Sequence, residues 1–253
     1  MPVTQEWDLS GKVALIAAGG RGFAPTLASA LAEAGADVAV AGSDPALRRA
    51  AVQAVKAQGR KALDIPADLT RRYRVHAAVQ KTVSTLGRLD VLVNDQQTEF
   101  GKPFADVQDT EWDRLFALNV NSLFYTCQEA GKQMLQQGKG RIINVISNLA
   151  ERGLWNCAPY CATQAAALQL TKALALEWSR KGVRVNAIGT GFFNTKDVPL
   201  EEQQKELLVR YIPSRRKGTP EDLCAILVYL ASDVSDFITG TCTYVDGGLM
   251  AHA

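Results

Sequence analysis

A doubly wound parallel α/β sheet of about seven strands, with helices on both faces, is the architecture this sequence predicts. Three observations carry the expectation. Short apolar runs alternate with helix-length patterns from one end of the 253 residues to the other. Most of the runs are continuously apolar rather than alternating, as strands buried on both faces must be. No repeat, low-complexity tract or linker interrupts them, so a single domain over 1–253 is expected.

In chain order the strands are expected at KVALIAA (12–18), DVAVAG (37–42), KALDIPA (61–67), LDVLVN (89–94), GRIINVIS (140–147), VRVNAIG (183–189) and TCTYVDG (241–247). Helical patterns fall at 24–34, 44–58, 71–86, 111–137, 159–181, 201–211 and 220–231. Pro25 lies in the first turn of the first helix, where a missing N–H does no harm. The 111–137 pattern carries Leu115, Phe116, Leu118, Val120, Leu123 and Phe124, with Asn119 among them. A buried asparagine needs partners or costs about 1–3 kcal/mol, so Asn119 is either a structural bridge or part of a site. The 159–181 pattern is apolar nearly all round, which calls for cover on two sides: the sheet, and a second copy of the chain.

Hydrophobic residues make up 47% and charged residues 21%, ordinary for a soluble globular chain. A net charge of +2 gives no electrostatic case for nucleic acid or a membrane surface. No apolar run reaches the roughly 18 residues of a membrane span, and MPVTQEWDLSGK lacks a signal-peptide core, so a cytoplasmic location is expected. The five cysteines form no C-x-x-C pair and read as reduced thiols; Cys157 and Cys161, flanking Tyr160, read as small packing groups. With only His76 and His252, a metal site or a Ser-His triad is not expected.

Several motifs, in order, resemble the short-chain dehydrogenase/reductase family over essentially the whole chain. They are GKVALIAAGGRGFA at the first strand and turn, LDVLVN, LFALNVNSLF around Asn119, GRIINVIS ending in Ser147, and Tyr160 thirteen residues later. VRVNAIGTGFFNT, IPSRRKGTPEDL and FITGTCTYVDGG complete the series. The resemblance implies a Rossmann-like fold and hydride transfer with a nicotinamide dinucleotide. It places Ala18, Gly22 and Ala24 where relatives carry three glycines, with Gly19 and Gly20 available to take over the turn. Candidate cofactor contacts are then Ala18, Gly20, Arg21, Gly22 and Phe23 in the first loop, Ser43 after the second strand, Asp68 and Leu69 beside the adenine, Asn94, and Thr195 near the cofactor amide. Gly42 carries no carboxylate for ribose hydroxyls and Arg21 is basic, which together favour NADP, with NAD as the alternative while Asp44 lies close by. Relatives read Asn-Asn-Ala-Gly after the fourth strand; here it is NDQQ, whose larger side chains fold outward or narrow the nicotinamide end of the cleft.

By the same resemblance Ser147 orients a substrate carbonyl, Tyr160 is the acid/base, and Asn119 and Gln164 complete the catalytic set. The residue chemistry agrees, because a phenol can deliver a proton to a carbonyl oxygen that a serine hydroxyl fixes. Relatives place a lysine at position 164. At about 5 Å and an effective dielectric near 20, such a charge is worth about 3 kcal/mol, or roughly 2 units of the phenol pKa. Gln164 can hydrogen-bond a ribose but carries no charge. Arg152 and Lys196 are loop cations that could stand in, whereas Lys172 lies about 18 Å along the helix axis. Restoring a lysine at 164 is expected to raise turnover by at least about tenfold. Carbonyl reduction needs a protonated phenol and suffers less from the missing charge than alcohol oxidation. The favoured reading is NADP(H)-linked carbonyl reduction of a small molecule by a homo-oligomer. The alternatives are a non-redox lyase or dehalogenase on this fold, or a non-catalytic partner subunit without nucleotide. A substrate lid is expected at about 190–216, with Trp155, Phe192 and Phe193 as apolar walls.

Overall fold

The computed structural model describes residues 7–194 and 198–251. Thr195 and Lys196 therefore lie outside the described residues. Seven parallel strands form one sheet in the order β3-β2-β1-β4-β5-β6-β7. They are β1 (Val13–Ala18), β2 (Asp37–Gly42), β3 (Ala62–Pro66), β4 (Val91–Asp95), β5 (Gly140–Ser147), β6 (Val183–Thr190) and β7 (Cys242–Val245). The strand order reverses between β1 and β4, so their carboxyl ends flank the crevice in which open α/β sheets bind ligands.

Strand side chains alternate between two cores. Ala14, Ile16, Val38, Val91, Val93, Ile143 and Val145 face α1 (Ala24–Glu33), α2 (Pro45–Ala57) and α8 (Cys224–Ala231). Leu15, Ala17, Leu92, Ile142 and Ile146 face α3 (Arg72–Leu86), α5 (Ser122–Gln137) and α6 (Ala158–Trp178). Leu27 and Leu31 of α1 and Met134 of α5 are fully buried, each worth about 1.5–3 kcal/mol relative to exposure. Because both faces are covered, the runs read as continuously apolar.

The helix expected at 111–137 begins earlier, as α4 (Asp109–Phe116), and continues into α5 through a π-helical turn, Ala117–Asn121. That turn carries Asn119. The expected helix at 201–211 is instead the short α7 (Leu200–Gln203) and a 3-10 turn at Leu207–Tyr211. Side-chain-to-backbone bonds interrupt the segment. Gln203 donates to the Val198 carbonyl at 2.7 Å and accepts from the Lys217 amide at 3.0 Å. At 220–231 a 3-10 turn, Pro220–Leu223, precedes α8. No helix among the described residues is long and apolar enough to cross a membrane.

Candidate active site

The first loop leaves β1 at Ala18, which is still extended, so alanine at this first glycine position is unstrained. The left-handed residue is Gly22, at φ 80°. Gly19 is glycine for another reason: a Cβ there would lie 2.2 Å from the Gln96 Cα, so the first loop and the loop after β4 touch backbone to backbone. Gly42 likewise has no room for a side chain, since its Cβ would meet the Ala18 carbonyl oxygen at 2.7 Å. Position 42 therefore cannot carry a carboxylate without moving β1.

Tyr160 sits in the first turn of α6 and is only 4% exposed. Leu115 and Leu149 pack with it, and Phe100, Cys157 and Cys161 flank this small cluster. Burial raises its phenol above the usual value; Arg21 and the Ser147 hydroxyl pull it down, and Glu99 and Cys161 push it up. Ser147 ends β5, and its hydroxyl also accepts from the Leu149 amide at 3.2 Å.

Gln164 is fully buried and does not reach the cleft: its Oε1 accepts from the Ser147 amide at 2.8 Å, and its Nε2 points to the Thr163 hydroxyl at 3.4 Å. The ribose contact expected of it is replaced by a role holding the backbone of Ser147. Asn119, also fully buried, is the bridge. Its Oδ1 accepts from the Thr98 amide at 2.8 Å, and its Nδ2 donates to the Thr98 carbonyl at 2.9 Å and the Thr163 hydroxyl at 3.1 Å. It thus ties the loop after β4 to α6.

Arg21 corrects the expectation most sharply. A guanidinium serving a 2′-phosphate would lie over the end of β2. Instead it crosses β4, donating from Nη1 to the Thr190 hydroxyl at 2.7 Å and from Nη2 to the Val145 carbonyl at 3.0 Å. The Phe23 ring lies under it at 4.8 Å, and the Asp95 carboxylate stands 3.9 Å away. Asp95 takes the place of the family's second asparagine and is fully buried against the amides of Phe23 and Ala24. Burial pushes its carboxyl up to about 7, against the pull of Arg21 and those two amides. A buried carboxylate attracts the nearest cation, which is the physical reason Arg21 turns inward. Gln96 and Gln97 are buried too, neither outward nor across the cleft; Gln96 donates to the Thr126 hydroxyl at 3.2 Å.

Two adjoining cavities open at this edge. One, of about 320 Å³, is lined by Ser147, Tyr160, Leu149, Leu154, Phe192 and Arg21, among others. The other, of about 290 Å³, lies among Gly20, Phe23, Thr98 and Phe193. Arg21, Glu99 and Gly191 border both. Phe192 is a wall of the tyrosine cavity, whereas Phe193 lies tilted against Phe23, with ring centres 5.5 Å apart, in the other. Trp155 does not line the cavity: it is 91% exposed, and Leu154 lines the cavity instead. The Cys157 thiol is pushed up by burial first and then by Cys161 and Glu99.

At the opposite end, Ser43 is exposed and Asp44 caps α2, accepting from the amides of Ala46 and Leu47 at 2.8 and 3.2 Å. Asp68 is exposed and accepts from the amide and hydroxyl of Thr70, while Leu69 beside it is buried. Asn94 corrects another expectation. It is buried within the sheet, donating to Asn144 Oδ1 at 2.8 Å and to Cys127 Sγ at 3.3 Å, and so serves as a strand-to-strand tie. Arg152, one of the proposed stand-in cations, donates to the Leu249 carbonyl at 3.3 Å. Asp95 was missed as a site residue. The signal was present: a carboxylate at the end of an otherwise apolar buried strand.

The chain is similar to known proteins over nearly its whole length. The family model described as Enoyl-(Acyl carrier protein) reductase matches residues 17–250. The 2-dehydro-3-deoxy-D-gluconate 5-dehydrogenase of Pseudoalteromonas atlantica is 35% identical, covering 98% of this chain and 99% of that one. A short-chain type dehydrogenase/reductase from Mycobacterium marinum superposes with a TM-score of 0.90 at 32% identity, over 98% of this chain and 99% of that one. A gluconate 5-dehydrogenase from Burkholderia cenocepacia, solved with NADP and tartrate, gives 0.89 at 30% identity over 98% of each. The chain belongs to the short-chain dehydrogenase/reductase family of NAD(P)-dependent oxidoreductases.

Proposed function

We propose that this protein uses NADPH to reduce the keto group of a small polyhydroxy acid. The observation that carries the reading is the buried, protonated Tyr160 phenol beside Ser147 on a cavity of about 320 Å³. A phenol held above its usual pKa is a proton donor at neutral pH, and reduction consumes that proton at the carbonyl oxygen. Ser147 orients that oxygen, its own backbone held by Gln164. Phe192 and Leu154 provide apolar wall, and Asn148, whose Nδ2 is buried with no partner among the described residues, provides a donor for a substrate hydroxyl. The keto-acid class rests on the gluconate dehydrogenases this chain is similar to.

When bound, the nicotinamide supplies the hydride. The first loop at Gly20 and Gly22 would hold the pyrophosphate, the Phe23 amide being turned to Asp95, with Ser43 holding the adenosine ribose and Asp68 with Leu69 the adenine. NADP over NAD is supported by the bare backbone at Gly42 and by the capping duty of Asp44. Residues 190–216 serve as the substrate cover. The chain works as a homo-oligomer, which would cover Ala162, Ala165, Ala173 and Leu176 along the exposed side of α6.

Fluorescence titration with NADPH and NADH, followed by NADPH oxidation against a panel of keto acids, tests the reading. NADPH is expected to bind more tightly, and Tyr160→Phe to lower turnover about 10²–10⁴-fold with nucleotide affinity kept. Failure of the intact protein to bind either nucleotide would overturn it.

A further inference from the structure

We propose that Arg21 supplies the positive charge that α6 lacks, acting on Tyr160 from the opposite wall of the cleft as an electrostatic positioning residue. The inference deepens the reductase reading but depends on a different observation, the path of one side chain. Position 164 is closed to this role. Both polar ends of Gln164 are engaged away from the cleft, and a neutral amide brings no charge. Lys172 reaches Glu151 at 3.9 Å, and Arg152 is held by Leu249. Among the described residues bordering the tyrosine cavity, Arg21 is the cation.

Its position follows from three contacts. The guanidinium donates to the Thr190 hydroxyl at 2.7 Å. Thr190 pairs with Ser147 across the β5–β6 ladder, where neighbouring strands lie about 4.8 Å apart. Ser147 in turn lines the same cavity as the phenol, and Arg21 borders that cavity too. The guanidinium and the phenol therefore face one shared space, with Ser147 on its wall. At 9% exposure, solvent screens its field weakly.

The holding groups are matched to this task. Thr190 and Val145 fix two of the nitrogens, and the Phe23 ring closes the underside. Asp95, at 3.9 Å, is the counter-charge, and when ionised it offsets part of the guanidinium's field at the phenol. The other groups facing the phenol are Glu99 at the rim and Cys161, both opposing ionisation, and the Ser147 hydroxyl, which favours it. Burial of the tyrosine opposes ionisation as well, and Arg21 is the main restraint on that rise.

The test is a titration of Tyr160 in nucleotide-free protein, read by the NMR shift of ¹³Cζ-labelled tyrosine and assigned with Tyr160→Phe. It reports the charge whether or not the chain reduces a keto acid, so its failure and that of the proposed function are separable. In Arg21→Met, at the pH where the phenol is half ionised in the unchanged protein, only about a tenth should be ionised, a shift on the order of one pH unit. Arg21→Lys should restore most of the difference. Asp95→Asn should move the titration the opposite way, because it removes the competing anion; this variant carries the test if Arg21→Met does not fold. An unchanged Tyr160 titration in a folded Arg21→Met, or in Asp95→Asn, overturns the proposal.

Discussion

The two ends of the carboxyl edge solve the same problem, what to do with polar side chains at strand ends, in opposite ways. At the β2–β3 end the acidic side chains stay in water and bond to near neighbours in sequence, Asp44 to residues two and three away and Asp68 to a residue two away, with buried Arg48, on Gly42 and Asp64, as the exception. At the β4–β6 end they are buried and bond across the fold. Arg21 reaches Thr190 over 169 positions and Val145 over 124, and Asn119 reaches Thr163 over 44. Local, solvated bonds are worth little each, because water replaces them when they break. Buried ones leave an unpaired group when they break, so the same substitution costs more at the second end. The chemical end of the cleft is therefore the rigid, interdependent end, and the adenosine end is the replaceable one.

Asp95 should give the largest contrast. Its folded-state carboxyl is pushed up to about 7 from 3.8, so the folded form keeps a proton that the unfolded chain has released. Stability is then full below about pH 4 and declines as pH rises toward 7, by an amount on the order of a few kcal/mol. Asp222 and Asp233, whose carboxyls are held below 3.8 by Arg216 and by Lys12 with Lys139, lose their contribution only at lower pH, outside this window. Urea unfolding at pH 5 and pH 7.5 should show the unchanged protein less stable at the higher value and Asp95→Asn nearly indifferent. Equal pH slopes for the two proteins would mean that Asp95 is ionised throughout and that the buried end is not strained by its charge.

The sequence made the sheet legible because the evidence for it is local: seven apolar runs, each bounded by turn residues, place all seven strands to within two positions at either end. Tyr160 and Ser147 were legible by motif and line one cavity, while Asn119 lies outside that lining, bonded to Thr98 and Thr163. Arg21 was legible as an exceptional cation but not in direction. Its path is decided by Asp95, Thr190 and Val145, residues 74 or more positions away that only the folded sheet brings together. Gln164 was misread for the same reason. Its partner is a backbone amide on another element, and no spacing rule points to a backbone amide.

That amide sets the next effect. Gln164→Leu removes the acceptor for the Ser147 N–H and should cost about 1–3 kcal/mol in urea unfolding. Gln164→Lys reverses the expectation drawn from residue type alone. An ammonium offers only donors, so the Ser147 amide loses its partner and the serine loses its alignment. Lower, not higher, reductase turnover should follow, with most of the loss in kcat. A Gln164→Lys protein of unchanged stability and faster turnover would show that this side chain is free to swing into the cleft, and the contrast between the two ends would weaken.

The smallest effect belongs to the solvated end. Asp44→Ala removes the α2 cap and should cost about 1 kcal/mol, since Pro45 still starts the helix and water can satisfy the exposed amides. The same change removes a negative charge beside Ser43, where a 2′-phosphate would sit. NADPH affinity should therefore rise about two- to five-fold at low salt and less at high salt, with NADH affinity nearly constant. A loss of NADH binding with no gain for NADPH would make Asp44 the acidic residue that holds the ribose hydroxyls. It would then reverse the cofactor preference, while leaving the Arg21–Tyr160 end untouched.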